Sequence, residues 1–159
     1  MNNGNKELHM VREFDASREM VYNAWIDPKL LTQWWGPQGV FIPVCEIDPR
    51  PGGKMKIVME AGESLGKFKG TQWPMEGEYV ELDKPNKIVF KSNAINEGKV
   101  ILEHTTTVTF EEVSGKTKMS VDVVVTKVLP GSEFAIAGME QGWNSQFDKL
   151  ESFIKQESK

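Results

Sequence analysis

The chain has 159 residues, with 19 basic and 23 acidic side chains that give a formal charge of −4 and a pI near 5.3. That balance argues against a nucleic-acid footprint, which needs a basic face, and no apolar run approaches the roughly 20 residues of a bilayer-spanning helix. Its length suits one domain able to bury roughly 70% of its unfolded surface.

Residues 1–7 are polar and read as a flexible N-terminus, followed by one domain over 8–156. Leu8 to Phe14 alternates loosely as a first strand. Ser17 reads as a helix N-cap, with Val21, Ala24 and Trp25 at helical spacing behind it. Asp27-Pro28 ends that helix and starts a second, because aspartate caps well and proline suits the first helical position. The second helix carries Leu30, Leu31 and Trp34 before Gly36-Pro37 stops it. Trp25, Trp34 and Trp35 thus fall close together. Indole surface of that extent belongs against a core, a ligand or another protein, and each buried N–H needs a partner.

Strands follow. Phe41, Pro43, Cys45 and Ile47 share one parity, Arg50-Pro51-Gly52-Gly53 is a turn, and Met55, Ile57 and Met59 alternate with Lys54, Lys56 and Glu60. Gly62 to Gly66 turns the chain, and Lys67 to Leu82 reads as one long or interrupted strand, broken or bent near Trp73-Pro74. Lys84-Pro85-Asn86 is the next turn, with Ile88 to Phe90 opening another strand. Ile101–Glu112 and Thr117–Val128 read as two strands around a Ser114-Gly115 hairpin turn. Pro130-Gly131-Ser132 switches the period, and Ile136, Met139, Trp143, Phe147, Leu150 and Ile154 form one stripe of a long terminal helix. A run of strands with segregated helices is α+β. A terminal helix laid across a curled antiparallel sheet leaves room for a cavity between the layers.

Several segments resemble one known family. They are Arg12-Glu13-Phe14-Asp15-Ala16, Val21-x-x-Ala24-Trp25-x-Asp27-Pro28, Leu31-x-x-Trp34-Trp35-Gly36-Pro37, Cys45-x-Ile47-Asp48-x-Arg50-Pro51-Gly52-Gly53, Lys87-Ile88-Val89-Phe90, Val108-Thr109-Phe110 and Gly138-Met139-x-x-Gly142-Trp143. Together they resemble homologues of the activator of the heat-shock protein 90 ATPase, within the START/birch-pollen-allergen-like superfamily (SRPBCC). The resemblance runs from residue 8 to about 155. It implies a helix-grip fold: a curved antiparallel sheet around a long C-terminal helix, with two short helices after the first strand. A chain of this length is expected to lack the additional N-terminal domain of the eukaryotic co-chaperone, so the resemblance implies the helix-grip fold and a pocket without establishing chaperone activity.

This frame places the candidate site residues. His104 shares parity with Leu102, Thr106, Val108 and Phe110, which turns it inward either to bond a ligand or exchange protons, or to be satisfied by a neighbouring hydroxyl. Cys45 has the parity of Ile47; a small buried hydrophobe is its simpler reading. As the lone cysteine it forms no internal disulfide, which fits a reducing cytoplasm, and no apolar leader precedes the domain. Two distant histidines and no C-x-x-C or H-x-x-x-H spacing argue against a metal, and no P-loop or other cofactor motif is present. Glu60, Glu76, Glu78 and Glu103 fall on polar parities and read as a solvated face. The expected lining is Trp34, Cys45, Met55, Met59, Phe68, Met75, Tyr79, Phe90, His104, Met139, Trp143 and Phe147. Trp25 is expected to pack the first helix, Trp34 to face the pocket, and Trp35 to lie at its rim or at a subunit contact, which would be compatible with a homodimer. The expected function is binding of a small hydrophobic or amphipathic molecule. The alternatives are a cyclase, hydrolase or dehydratase working through His104 or Tyr79, and a chaperone-partner module.

Overall fold

The computed structural model describes residues 7–36, 38–96, 99–128 and 139–157. In chain order these form β1 (Glu7–Phe14), α1 (Arg18–Ile26), α2 (Pro28–Leu31), β2 (Val40–Ile47), β3 (Lys54–Ala61), a 3-10 helix (Glu63–Phe68), β4 (Gln72–Asp83), β5 (Lys87–Asn96), β6 (Lys99–Val113), β7 (Lys116–Val128) and α3 (Met139–Glu157). The seven strands make one antiparallel sheet in the order β1-β7-β6-β5-β4-β3-β2. The predicted fraying of the first residues, the stop at Pro37, the Pro130-Gly131-Ser132 switch and Ile136 lie outside the described residues.

Local chemistry sets the element boundaries. The Ser17 hydroxyl accepts from the Met20 amide and caps α1, which buries Val21, Tyr22, Ala24 and Trp25. Asp27 closes α1 and caps α2 by accepting from the Lys29 amide at 2.9 Å, with Pro28 opening the new helix. Ser114 (φ 53°) and Gly115 (φ 81°) both take the left-handed conformation of a tight β6–β7 hairpin.

Two sequence readings are corrected. Glu63–Phe68 is a 3-10 helix kinked at Gly66 (φ 56°), so strand structure resumes only at Gln72 and runs unbroken through Trp73-Pro74. The irregularity in β4 lies instead between Tyr79 and Glu81. Gly66 and Gly70, both at positive φ, break the extended path that an apolar-polar pattern alone would continue. In β2 a register shift between Phe41 and Val44 inverts the parity: Phe41 and Pro43 are exposed, whereas Cys45 and Ile47 pack on the core.

The inner face of the sheet carries Leu8, Met10, Phe14, Met55, Ile57, Met75, Tyr79, Ile88, Phe90, Val108, Phe110, Met119, Val121 and Val123, all buried. The α1 helix and the Trp143-Phe147-Leu150-Ile154 stripe of α3 complete that core. Helix α3 is fastened at both flanks. On β1, Arg12 pairs with Asp148 (2.9 Å) and Glu151 (3.4 Å), donates to the Asn144 carbonyl, and stands 6.0 Å from the Phe147 ring centre. On the other flank the Gly36 amide donates to Gln146 Oε1 at 2.6 Å, and Lys149 Nζ donates to the Trp35 and Gly36 carbonyls.

The turn before β3 admits no side chain. A Cβ on Gly53 would fall 1.9 Å from the Asp48 carbonyl oxygen, while the Gly53 amide and carbonyl bond Arg50 and Tyr79. Gly53→Ala is therefore expected to lower the unfolding free energy by roughly 2–4 kcal/mol, read from the urea midpoint at unchanged slope. A wild-type midpoint would refute this steric account of the turn.

Candidate functional site

The interior is organised by indole packing. The Trp25 ring, on α1, lies 4.8 Å from that of Trp34, 6.2 Å from Trp35, and 6.3 Å from each of Phe90, Trp143 and Phe147. Those partners come from the turn after α2, from β5 and from α3, so one side chain joins four parts of the chain. Aromatic pairs at such distances add to the stabilisation from buried area.

Trp34 and Trp35 both point inward, 0% and 5% exposed, and their rings meet edge to face at 5.5 Å. The expectation that Trp35 sits at a rim or subunit contact is thereby corrected. Helix α2 ends at Leu31, and the following turn keeps short-range bonds from Trp34 to Leu31 and from Trp35 to Leu31. A turn, unlike a regular helix, can direct adjacent side chains to the same layer.

Polar groups enter this apolar interior around Phe90. Thr106 stands opposite Phe90 in the β5–β6 register, and the Tyr79 ring lies 6.4 Å from that of Phe90 on the other side. One pair further along, Ser92 faces His104, with Ser92 Oγ 2.9 Å from His104 Nδ1. The sequence pointed to His104 and to a hydroxyl that could satisfy it. That hydroxyl is Ser92, whose signal was its parity with Ile88 and Phe90.

Three buried polar atoms have no hydrogen-bond partner among the described residues: Trp25 Nε1, Tyr79 Oη and Thr106 Oγ1. Their residues are 3%, 2% and 0% exposed. The contrast with Trp34 is direct, because Trp34 Nε1 donates to the Ala24 carbonyl at 2.9 Å. A buried donor or acceptor left unpaired costs about 1–3 kcal/mol. Three of them within one aromatic cluster mark a place where the described residues alone do not complete the bonding.

Burial also sets the protonation states. It lowers the His104 pKa from 6.5 to about 4, which keeps the imidazole neutral at neutral pH. It raises the Tyr79 phenol well above its ordinary range, with nearby Cys45 adding to the effect. The Cys45 thiol is itself pushed up to about 11 by burial, as suits an inert thiol. Among the described residues no His, Cys, Asp and Glu side chains group as metal ligands.

The other predicted lining residues divide by position. Met55, Met75, Tyr79, Phe90, Trp143 and Phe147 are buried with Trp34 in the core cluster, and Cys45, Met59 and Met139 pack against it half-buried. Phe68 is not part of it. It closes the 3-10 helix and is 52% exposed, with Lys67 Nζ 5.3 Å from its ring centre. A groove of about 600 Å³ with a mixed-charge lining that includes Lys54, Glu76, Glu78, Lys91 and Glu103 also reaches the half-buried His104.

A seven-stranded antiparallel sheet closed by a long C-terminal helix, with two short helices after its first strand, is the helix-grip fold. The chain belongs to the family of Activator of Hsp90 ATPase homolog 1-like proteins, whose sequence profile matches residues 15–155. A solved protein from Nitrosomonas europaea is similar at 23% identity over 96% of each chain, with a TM-score of 0.78. The AHSA1 protein of Silicibacter pomeroyi is 25% identical over 96% of this chain and 99% of its own, with a TM-score of 0.77. A protein from Arthrobacter aurescens reaches a TM-score of 0.79 at 22% identity, over 94% of this chain and 86% of its own. No curated protein matches the chain. No helix among the described residues is long and apolar enough to cross a membrane.

The lowered His104 pKa ties stability to pH. Between 6.5 and about 4 the unfolded chain binds a proton that the folded one refuses, so stability is complete above pH 6.5 and falls as acid is added. The contribution lost by pH 4 is on the order of 3 kcal/mol. His104→Gln is expected to flatten the pH dependence of the urea midpoint over that interval. An unchanged slope in the variant would contradict the assignment.

Proposed function

We propose that the protein binds a small apolar or amphipathic molecule between the inner face of the sheet and α3. The observation that carries this reading is the set of unpaired buried atoms on Trp25, Tyr79 and Thr106 around Phe90. Aromatic walls with a few polar groups are the usual composition of a small-molecule site. A ligand that entered there would gain apolar contact and complete bonds that the chain leaves open. The half-buried Met59 and Met139 beside the cluster add polarizable, adaptable side chains that suit a reshaped lining.

Two other readings fit less well. Proton-transfer catalysis asks for groups that exchange protons near neutral pH, whereas burial holds His104 neutral and Tyr79 protonated. A chaperone contact, which the family's name brings to mind, would use a surface. The unpaired polar atoms on Trp25, Tyr79 and Thr106 are buried, where another protein's surface does not reach.

The test is titration with phenylnaphthylamine, an uncharged dye that fluoresces in apolar surroundings. Saturable emission at one equivalent is expected, together with a rise in Tm. At a hundred dissociation constants the stabilisation should be about 2.7 kcal/mol. Emission that never saturates, with an unchanged Tm, would refute the reading.

A further inference from the structure

We infer that the ligand is an electrically neutral apolar molecule carrying hydroxyl or carbonyl oxygen, and that the site discriminates against carboxylates, phosphates and ammonium groups. The inference rests on the proposed binding function and narrows it to a chemical class.

It follows from which groups reach the interior. Among the described residues the buried polar side chains are Ser92, Thr106, Thr117 and Gln146, and none of these is charged. Thr117 donates to the Ala16 carbonyl and Gln146 accepts from Gly36, which leaves them committed elsewhere. Two cations flank the cluster, and both are engaged. Arg12 is held by Asp148 and Glu151, and Lys149 donates to the Trp35 and Gly36 carbonyls. Among the described residues no counter-ion is therefore on offer near Phe90 for a buried carboxylate or phosphate.

The atoms that remain open have a definite chemistry. Trp25 Nε1 is a donor only, so it calls for an acceptor oxygen. The Tyr79 and Thr106 hydroxyls can each donate or accept, and a hydroxyl or carbonyl satisfies either. An ammonium group would leave the indole donor unmatched and meet no buried carboxylate among the described residues. Burying an unpaired ion costs far more than burying a neutral polar group that finds its hydrogen bond.

Three probes of equal chain length test this by displacing phenylnaphthylamine at neutral pH: decanol, decanoate and decyltrimethylammonium. Decanol is expected to displace the dye at about tenfold lower concentration than either ion, or less. The near-isosteric variants Tyr79→Phe and Thr106→Val remove unpaired hydroxyls and should fold normally. Each is expected to weaken decanol binding about fivefold, with decanoate unaffected. Displacement by decanoate or decyltrimethylammonium as effective as by decanol would overturn the inference while leaving a ligand site in place. Variants that bind decanol as the wild type does would overturn the assigned contacts. Failure of the wild type to bind the dye at all would remove the proposed function and this inference with it.

Discussion

The structure depends on the burial of Trp25. Its indole meets five aromatic rings drawn from the turn after α2, from β5 and from α3. Dispersion and area burial at such a junction are large and undirected, and they fix where the two short helices and the C-terminal helix meet the sheet. The remaining ties act at its edges. Arg12 secures one side of α3, while Gln146 and Lys149 secure the other to the backbone around Gly36. Both ties reach only the edge of the aromatic cluster, at the Phe147 ring and the Trp35 carbonyl, and neither bonds the polar atoms of Trp25, Tyr79 or Thr106.

That arrangement separates two tasks that a protein interior often combines. Stability comes from rings and aliphatic side chains over most of the sheet. The proposed specificity rests on a few neutral polar atoms close to Phe90. Trp25 and Trp34 show the difference within one indole pair. Trp34 spends its N–H on the Ala24 carbonyl and is a structural element, whereas Trp25 packs as tightly and keeps its N–H open. Desolvation explains the neutral His104 in the same terms, since the imidazole finds a hydroxyl in Ser92 and no carboxylate.

Much of the fold was legible because its signals are local. Ser17, Asp27-Pro28 and Ser114-Gly115 each act within a few residues, and each has the structural role its chemistry implies. The alternation of Met55 and Ile57 and the spacing of Trp143, Phe147, Leu150 and Ile154 report burial directly. What escaped the sequence depends on partners distant in the chain or on breaks in period. The register shift in β2 turned Phe41 outward, and Gly66 and Gly70 delayed the strand read from Lys67 until Gln72. Trp35 turned inward because a turn, not a helix, carries it. Ser92 and Thr106 have the parity of core residues. Their chemistry gave no sign that one would find a partner and the other would not.

The most direct test of the account is the pair of indole N–H resonances of Trp25 and Trp34, followed by nitrogen-15 NMR while decanol is added. Trp34 is the internal control, because its N–H is already bonded to a carbonyl. At saturation the Trp25 signal is expected to move downfield and exchange more slowly, with the Trp34 signal nearly still. A Trp25 resonance that stays in place while decanol is demonstrably bound would contradict the account.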